Sequence, residues 1–190
     1  SLYLIGFAES VLPVVQDVFG IKQITVNHFR LVGSLALLLV LTVAYVSTSF
    51  AIKIQYIILV LIGLSLVSIF TGSSEGLKKG TDFISSPNFA VLFGIFFPAV
   101  TGFTAGVAMS GDLKNPSKSI PWGTMLAILT GLAVYLALAF FINSSIDGEI
   151  LRTNNNALIQ FGSIAFLVIA GVWGATLSSA LGGILGGPRI

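Results

Sequence analysis

Four groups of residues in this sequence could hold an ion or relay a proton, and none supplies the nucleophile and base pair of an enzyme. Ala175, Ser178, Ser179 and Gly182 fall at offsets of zero, three, four and seven, so they share one face of a helix. Two hydroxyls and a main-chain carbonyl on a glycine-relaxed helix offer three hard oxygens, which suits a dehydrated sodium ion whose other ligands come from another helix. The same stripe also suits close packing and interhelical hydrogen bonding. Phe97-Pro98-Ala99-Val100-Thr101-Gly102 lies in the middle of a long uncharged stretch. Pro98 cannot donate to the carbonyl four residues back, and Gly102 and Gly106 tolerate non-helical dihedrals. A span broken there presents carbonyls to a cation and a half-helix N-terminus to an anion. The alternative is a packing stripe of Gly94, Pro98, Gly102 and Gly106, spaced by four, with only a proline kink. Glu9 is the only acid inside an apolar stretch, either a proton or cation relay or an interfacial residue beside Gln16 and Asp17. Tyr3 brings a hydroxyl that points to the interior or belongs to the interface or core.

The elements that position these groups follow from composition. With 55% hydrophobic and only 8% charged residues, and a mean hydropathy of +1.02, the chain has too little polar surface to coat a soluble globule. A helix needs about twenty apolar residues to cross the hydrocarbon core, so 190 residues allow roughly five or six crossings and no separate soluble domain. Absence of cysteine excludes disulfides and thiolate metal sites, and the single histidine, His28, in a polar connection excludes a histidine metal cluster. A net charge of +2 from nine basic and seven acidic side chains is too sparse for a nucleic-acid footprint.

An uncompensated charge at the bilayer centre costs at least about 2.5 kcal/mol, so charges mark the ends of spans. On that basis the expected spans are 1–15 in part, 31–50, 54–73, 89–110, 121–143 and 160–187. The second and third form a hairpin with a very tight turn at Lys53, and the span after the 111–121 connection begins with Pro121 in its first turn. Lys22, Arg30, Lys78, Lys79 and Arg152 on one set of connections balance Lys53, Lys114, Lys118 and Arg189 on the other, so charge does not orient the chain. The sequon Asn143-Ser144-Ser145 sits almost within a span. With no initiating Met and no signal-peptide pattern, the sequence reads as a fragment.

Several segments in register resemble the cation-chloride cotransporters, a branch of the amino acid, polyamine and organocation transporter superfamily. They are Tyr3-Leu4-Ile5-Gly6-Phe7-Ala8-Glu9, Phe93-Gly94-Ile95-Phe96-Phe97-Pro98-Ala99-Val100-Thr101-Gly102, Ser110-Gly111-Asp112-Leu113-Lys114-Asn115-Pro116 with Ile120-Pro121-Trp122-Gly123-Thr124, and Ala175-Thr176-Leu177-Ser178-Ser179-Ala180-Leu181 with Gly187-Pro188-Arg189. The resemblance covers nearly the whole chain. It implies an all-α membrane protein, a fragment of about five and a half transmembrane helices from a LeuT-like inverted-repeat transporter, with all 190 residues in one permease region truncated at both ends. It also implies a potassium site on Tyr3, the Pro98 carbonyl and Thr101, a sodium site on Ala175, Ser178 and Ser179, and a chloride on the amides of Gly102, Phe103 and Thr104. The serine pair points to a sodium-dependent member and Tyr3 to one that carries potassium. The sequence departs from the family pattern at Phe103, Thr104, Gly182 and Gly183, changes that affect pocket shape more than backbone ligands.

The expected function is therefore sodium-coupled symport of potassium and chloride by alternating access, with sodium-chloride symport as the second choice, and with no cofactor and no covalent chemistry. A cation and an anion a few ångströms apart attract by several kcal/mol at an effective dielectric near ~20, which favours their movement together. The expected partners are the lipid bilayer, small inorganic ions and a second copy in a homodimer, in the plasma membrane as a multi-pass protein, with no nucleic acid. Two other readings are a sodium-coupled amino acid or polyamine permease of the same superfamily, and a non-transporting membrane subunit that packs through its glycine stripes.

Overall fold

The computed structural model describes residues 2–20, 23–72, 88–100, 102, 110–154 and 157–186, and among these no strand occurs. The chain order is α1 (Leu2–Phe19), α2 (Val26–Val46), α3 (Thr48–Phe70), α4 (Phe89–Phe96) running into a 3-10 turn (Phe97–Val100), a second 3-10 turn (Ser110–Asp112), α5 (Pro116–Ser145), α6 (Gly148–Thr153), α7 (Ala157–Phe161) and α8 (Ala165–Gly186). Four of the described helices are long and apolar enough to cross a membrane: Val26–Val46, Phe50–Phe70 within α3, Pro116–Ser145 and Ala165–Gly186. Their surfaces agree with lipid as solvent. No residue of α5 is buried, although the helix exposes 71% of Trp122, 61% of Met125 and 75% of Phe140. A helix apolar all round and uncovered belongs in hydrocarbon. The protein is all-α, integral to the membrane and multi-pass.

Local chemistry moves several helix ends from where charge alone placed them. The turn between α2 and α3 is at Ser47, not Lys53. Ser47 is extended at φ −167° and ψ 122°, and its hydroxyl accepts from the Phe50 amide at 3.3 Å, which caps α3. Lys53 then lies exposed in the second turn of α3, within reach of the interface through its long stem. His28 is in the first turn of α2 rather than in a connection. Its Nδ1 accepts from the Thr25 amide at 3.0 Å, closing the start of the helix. Pro116, not Pro121, is the first-turn proline of α5, and Pro121 stands inside the helix, where it removes one backbone bond. The expected stretch 160–187 is divided between α7 and α8 by the bend at 162–164. Asn143 of the sequon lies inside the last turns of α5.

α8 is the element on which the others assemble, touching α1, α2, α3 and α7. It runs antiparallel to α3. Ser68 near the end of α3 bonds Ile164 just before α8, whereas Ala51 near the start of α3 shares a buried cluster with Leu181 and Leu185. Val40 of α2 joins that cluster, and Leu4 of α1 forms a second one with Ala36 of α2 and Ala180 of α8. A chain of rings, Phe70 to Phe141 at 5.1 Å and Phe141 to Phe161 at 5.7 Å, ties α5 to α3 and α7.

Candidate functional site

The face of α8 toward α3 is stripped to small residues, and the structure shows why. A Cβ on Gly171 would collide with the Ser65 side chain, and one on Gly174 would stand 3.1 Å from Ile58 Cγ2. Backbone-to-side-chain contact this close needs glycine, as at other tight membrane-helix crossings. One turn further along α8 the contact opens into a cavity of about 360 Å³, into which Ser178 looks from α8 and Gln55 and Tyr56 from α3, with Ile58 and Ile62 between them. Ser178 is half-buried and forms no hydrogen bond among the described residues, unlike Ser68, which is spent on helix-to-helix bonding.

Ser178 and Ser179 diverge by about 100° around the axis. Ser179 is accordingly exposed, and Ala175, half-buried, sits one turn before both. The described contacts of α1 and α2 fall on Trp173, Leu177, Ala180, Leu181 and Leu185, and not on Ser178 or Ser179.

Tyr3 lies on the other side of α8. It packs against the Leu4, Ala36 and Ala180 cluster with Phe7 and Leu177, while Phe7 meets Trp173 edge-on at 6.3 Å between centroids. Trp173 Nε1 is buried and has no hydrogen-bond partner among the described residues. Glu9 is exposed on α1, outside the packed face.

The break around Pro98 is present. The α-helical hydrogen bonding of α4 stops at Phe96, Phe97–Val100 is a 3-10 turn, and Gly102 adopts φ +101°, a left-handed value that favours glycine. A Cβ at Gly94 or Gly102 would meet nothing within 4 Å, so these two glycines are not packing positions among the described residues. Close packing through glycine occurs instead at Gly171 and Gly174 of α8 and at Gly72 and Gly162 beside the bend before it. Thr101, Phe103 and Thr104 lie outside the described residues.

A family model described as amino acid permease matches residues 1–190, the whole chain. The chain belongs to the amino acid permease family. Solute carrier family 12 member 8 of Mus musculus is 30% identical over 206 aligned positions, covering all of this chain and 28% of that protein. Solute carrier family 12 member 2 of Mus musculus is 26% identical over 245 positions, all of this chain and 20% of the relative, and member 1 of Homo sapiens is 26% identical over 246, all of this chain and 22% of the relative. These relatives bear out the resemblance to the cation-chloride cotransporters. The chain thus spans between a fifth and a third of the length of the curated relatives it matches. Permeases and solute carriers move solutes and are not enzymes.

Sequence reasoning missed Gln55. Its signal was available, a lone amide in the uncharged stretch after Lys53, yet only the pairing of α3 with α8 places it opposite Ser178.

Proposed function

We propose that the intact protein is a secondary active symporter of the plasma membrane that couples sodium, and potassium with it, to chloride by alternating access. Ala175, Ser178 and Ser179 hold sodium, Tyr3 with the Pro98 carbonyl and Thr101 holds potassium, and the amides of Gly102, Phe103 and Thr104 receive chloride. The observation that carries this reading is Ser178, a hydroxyl on the central helix that opens into a cavity instead of being used in packing. The 3-10 turn at Phe97–Val100 and the left-handed Gly102 support the anion side, because such a glycine leaves the helical ladder. Gln55 adds a carbonyl oxygen on the wall facing Ser178. No cofactor enters the proposal.

Labelled sodium uptake by the intact protein in liposomes, with and without chloride and potassium, tests it. Uptake that requires chloride is the expected result. The description of the matching family favours a second reading, a sodium-coupled amino acid permease in which the amides after Gly102 receive a carboxylate. Uptake indifferent to chloride but stimulated by amino acids would replace the first reading by the second.

A further inference from the structure

The contact between α1 and α2 leaves an open groove of about 330 Å³, with Ile5 on one wall and Phe29, Gly33 and Leu37 on the other. Its polar groups are Arg30 and Ser34, both exposed. Arg30 is in the second turn of the span Val26–Val46, about 6 Å from its start, near enough for its long side chain to reach back to headgroup phosphates. From Arg30 to Leu37 the groove runs about 10 Å toward the bilayer centre, most of one leaflet of ~15 Å. A Cβ on Gly33 would meet nothing within 4 Å among the described residues, so none of their side chains fills the slot at that point. The adjoining face of α2 exposes Leu31, Leu35 and Leu38, an apolar surface that suits acyl chains.

We propose that this groove binds one anionic glycerophospholipid, its phosphate on Arg30 and an acyl chain laid along Gly33 and Leu37. The charge pattern selects the occupant. A guanidinium binds a phosphate through paired hydrogen bonds, and the positive end of the α2 dipole lies beside it. His28 is not among the residues that line the groove. A headgroup that adds an ammonium would offset this attraction, whereas one with net negative charge keeps it.

The test titrates phosphatidylglycerol and phosphatidylcholine separately into the delipidated intact protein in detergent and reads bound lipid by native mass spectrometry. Wild type is expected to retain phosphatidylglycerol preferentially. Arg30→Gln weakens it about tenfold, the worth of a charge-assisted contact, and leaves phosphatidylcholine binding unchanged. Arg30→Lys keeps part of the preference, and Gly33→Leu, which fills the slot without touching the charge, loses the lipid. Equal retention of the two lipids by wild type, or unchanged preference in both Arg30→Gln and Gly33→Leu, overturns the proposal. So does a Gly33→Leu protein that keeps its lipid but loses a dimer, which would give the groove to a second copy.

Discussion

Ser68 and Ile164, ninety-six residues apart, hold each other by two hydrogen bonds: the Ile164 amide donates to Ser68 Oγ at 2.9 Å, and the hydroxyl donates back to the Ile164 carbonyl at 3.2 Å. The Ser163 amide adds a bond to the Ser68 carbonyl at 3.0 Å, and the Ser163 hydroxyl donates to the Thr71 carbonyl at 2.6 Å. The end of α3 thus supplies partners for backbone at the start of α8 that would otherwise be unpaired in hydrocarbon. Ser68→Ala removes both bonds, and a loss of about 1–2 kcal/mol in unfolding free energy in detergent is expected. Ser144→Ala on the exposed side of α5, whose hydroxyl stays within its own helix by donating to the Phe141 carbonyl and lying 3.5 Å from Ser145 Oγ, is expected to cost far less.

The glycines of α8 should sort by what faces them. Gly171→Ala meets the Ser65 side chain and is expected to cost about 1–3 kcal/mol by overpacking. Gly174→Ala costs less, because Ile58 can shift by a few tenths of an ångström, and Gly182→Ala, with nothing within 4 Å, leaves stability unchanged. Denaturation of the three variants side by side checks the order.

Neighbouring phenylalanines on α5 should behave differently. Phe141 joins two rings on α3 and α7, while Phe140 is 75% exposed. Phe141→Ala is expected to lose about 1–3 kcal/mol, two aromatic pairs at about 0.5–1.5 kcal/mol each, and Phe140→Ala little, in the same unfolding assay.

Gln55→Leu removes the amide that shares the Ser178 cavity and keeps most of its volume. Sodium half-saturation of uptake is expected to rise about three- to tenfold, the worth of one lost polar ligand, with the maximal rate changed less and Gln55→Asn recovering part of the loss. A fall in maximal rate alone would mark Gln55 as a packing residue.

The membrane helices were legible because lipid punishes misplaced charge: the stretches free of Lys, Arg, Asp and Glu contain α2, α3, α5 and α8 apart from a few terminal residues and Lys53. Their ends were less legible. Pro116 and Pro121 both satisfy the first-turn preference, and charge spacing favoured Lys53 over Ser47 as the turn although only Ser47 can cap. The break near Pro98 was readable because proline and glycine act locally, as the 3-10 turn and the φ of Gly102 show. The partner of a small-residue stripe was not readable. Periodicity put Ser178 on a face with Ala175, but the choice of α3 as the facing helix, and with it Gln55, depends on contacts more than a hundred residues apart in sequence.

Under the proposed function the α8 serines bind the ion whose gradient drives transport, and labelled sodium uptake by Ser178→Ala beside wild type in liposomes reads that role. Wild-type uptake that depends on chloride, with uptake at low sodium falling at least about tenfold in the variant as one charge-assisted oxygen ligand is lost, is the predicted result. Wild-type rates and wild-type sodium dependence in a folded Ser178→Ala protein would contradict it.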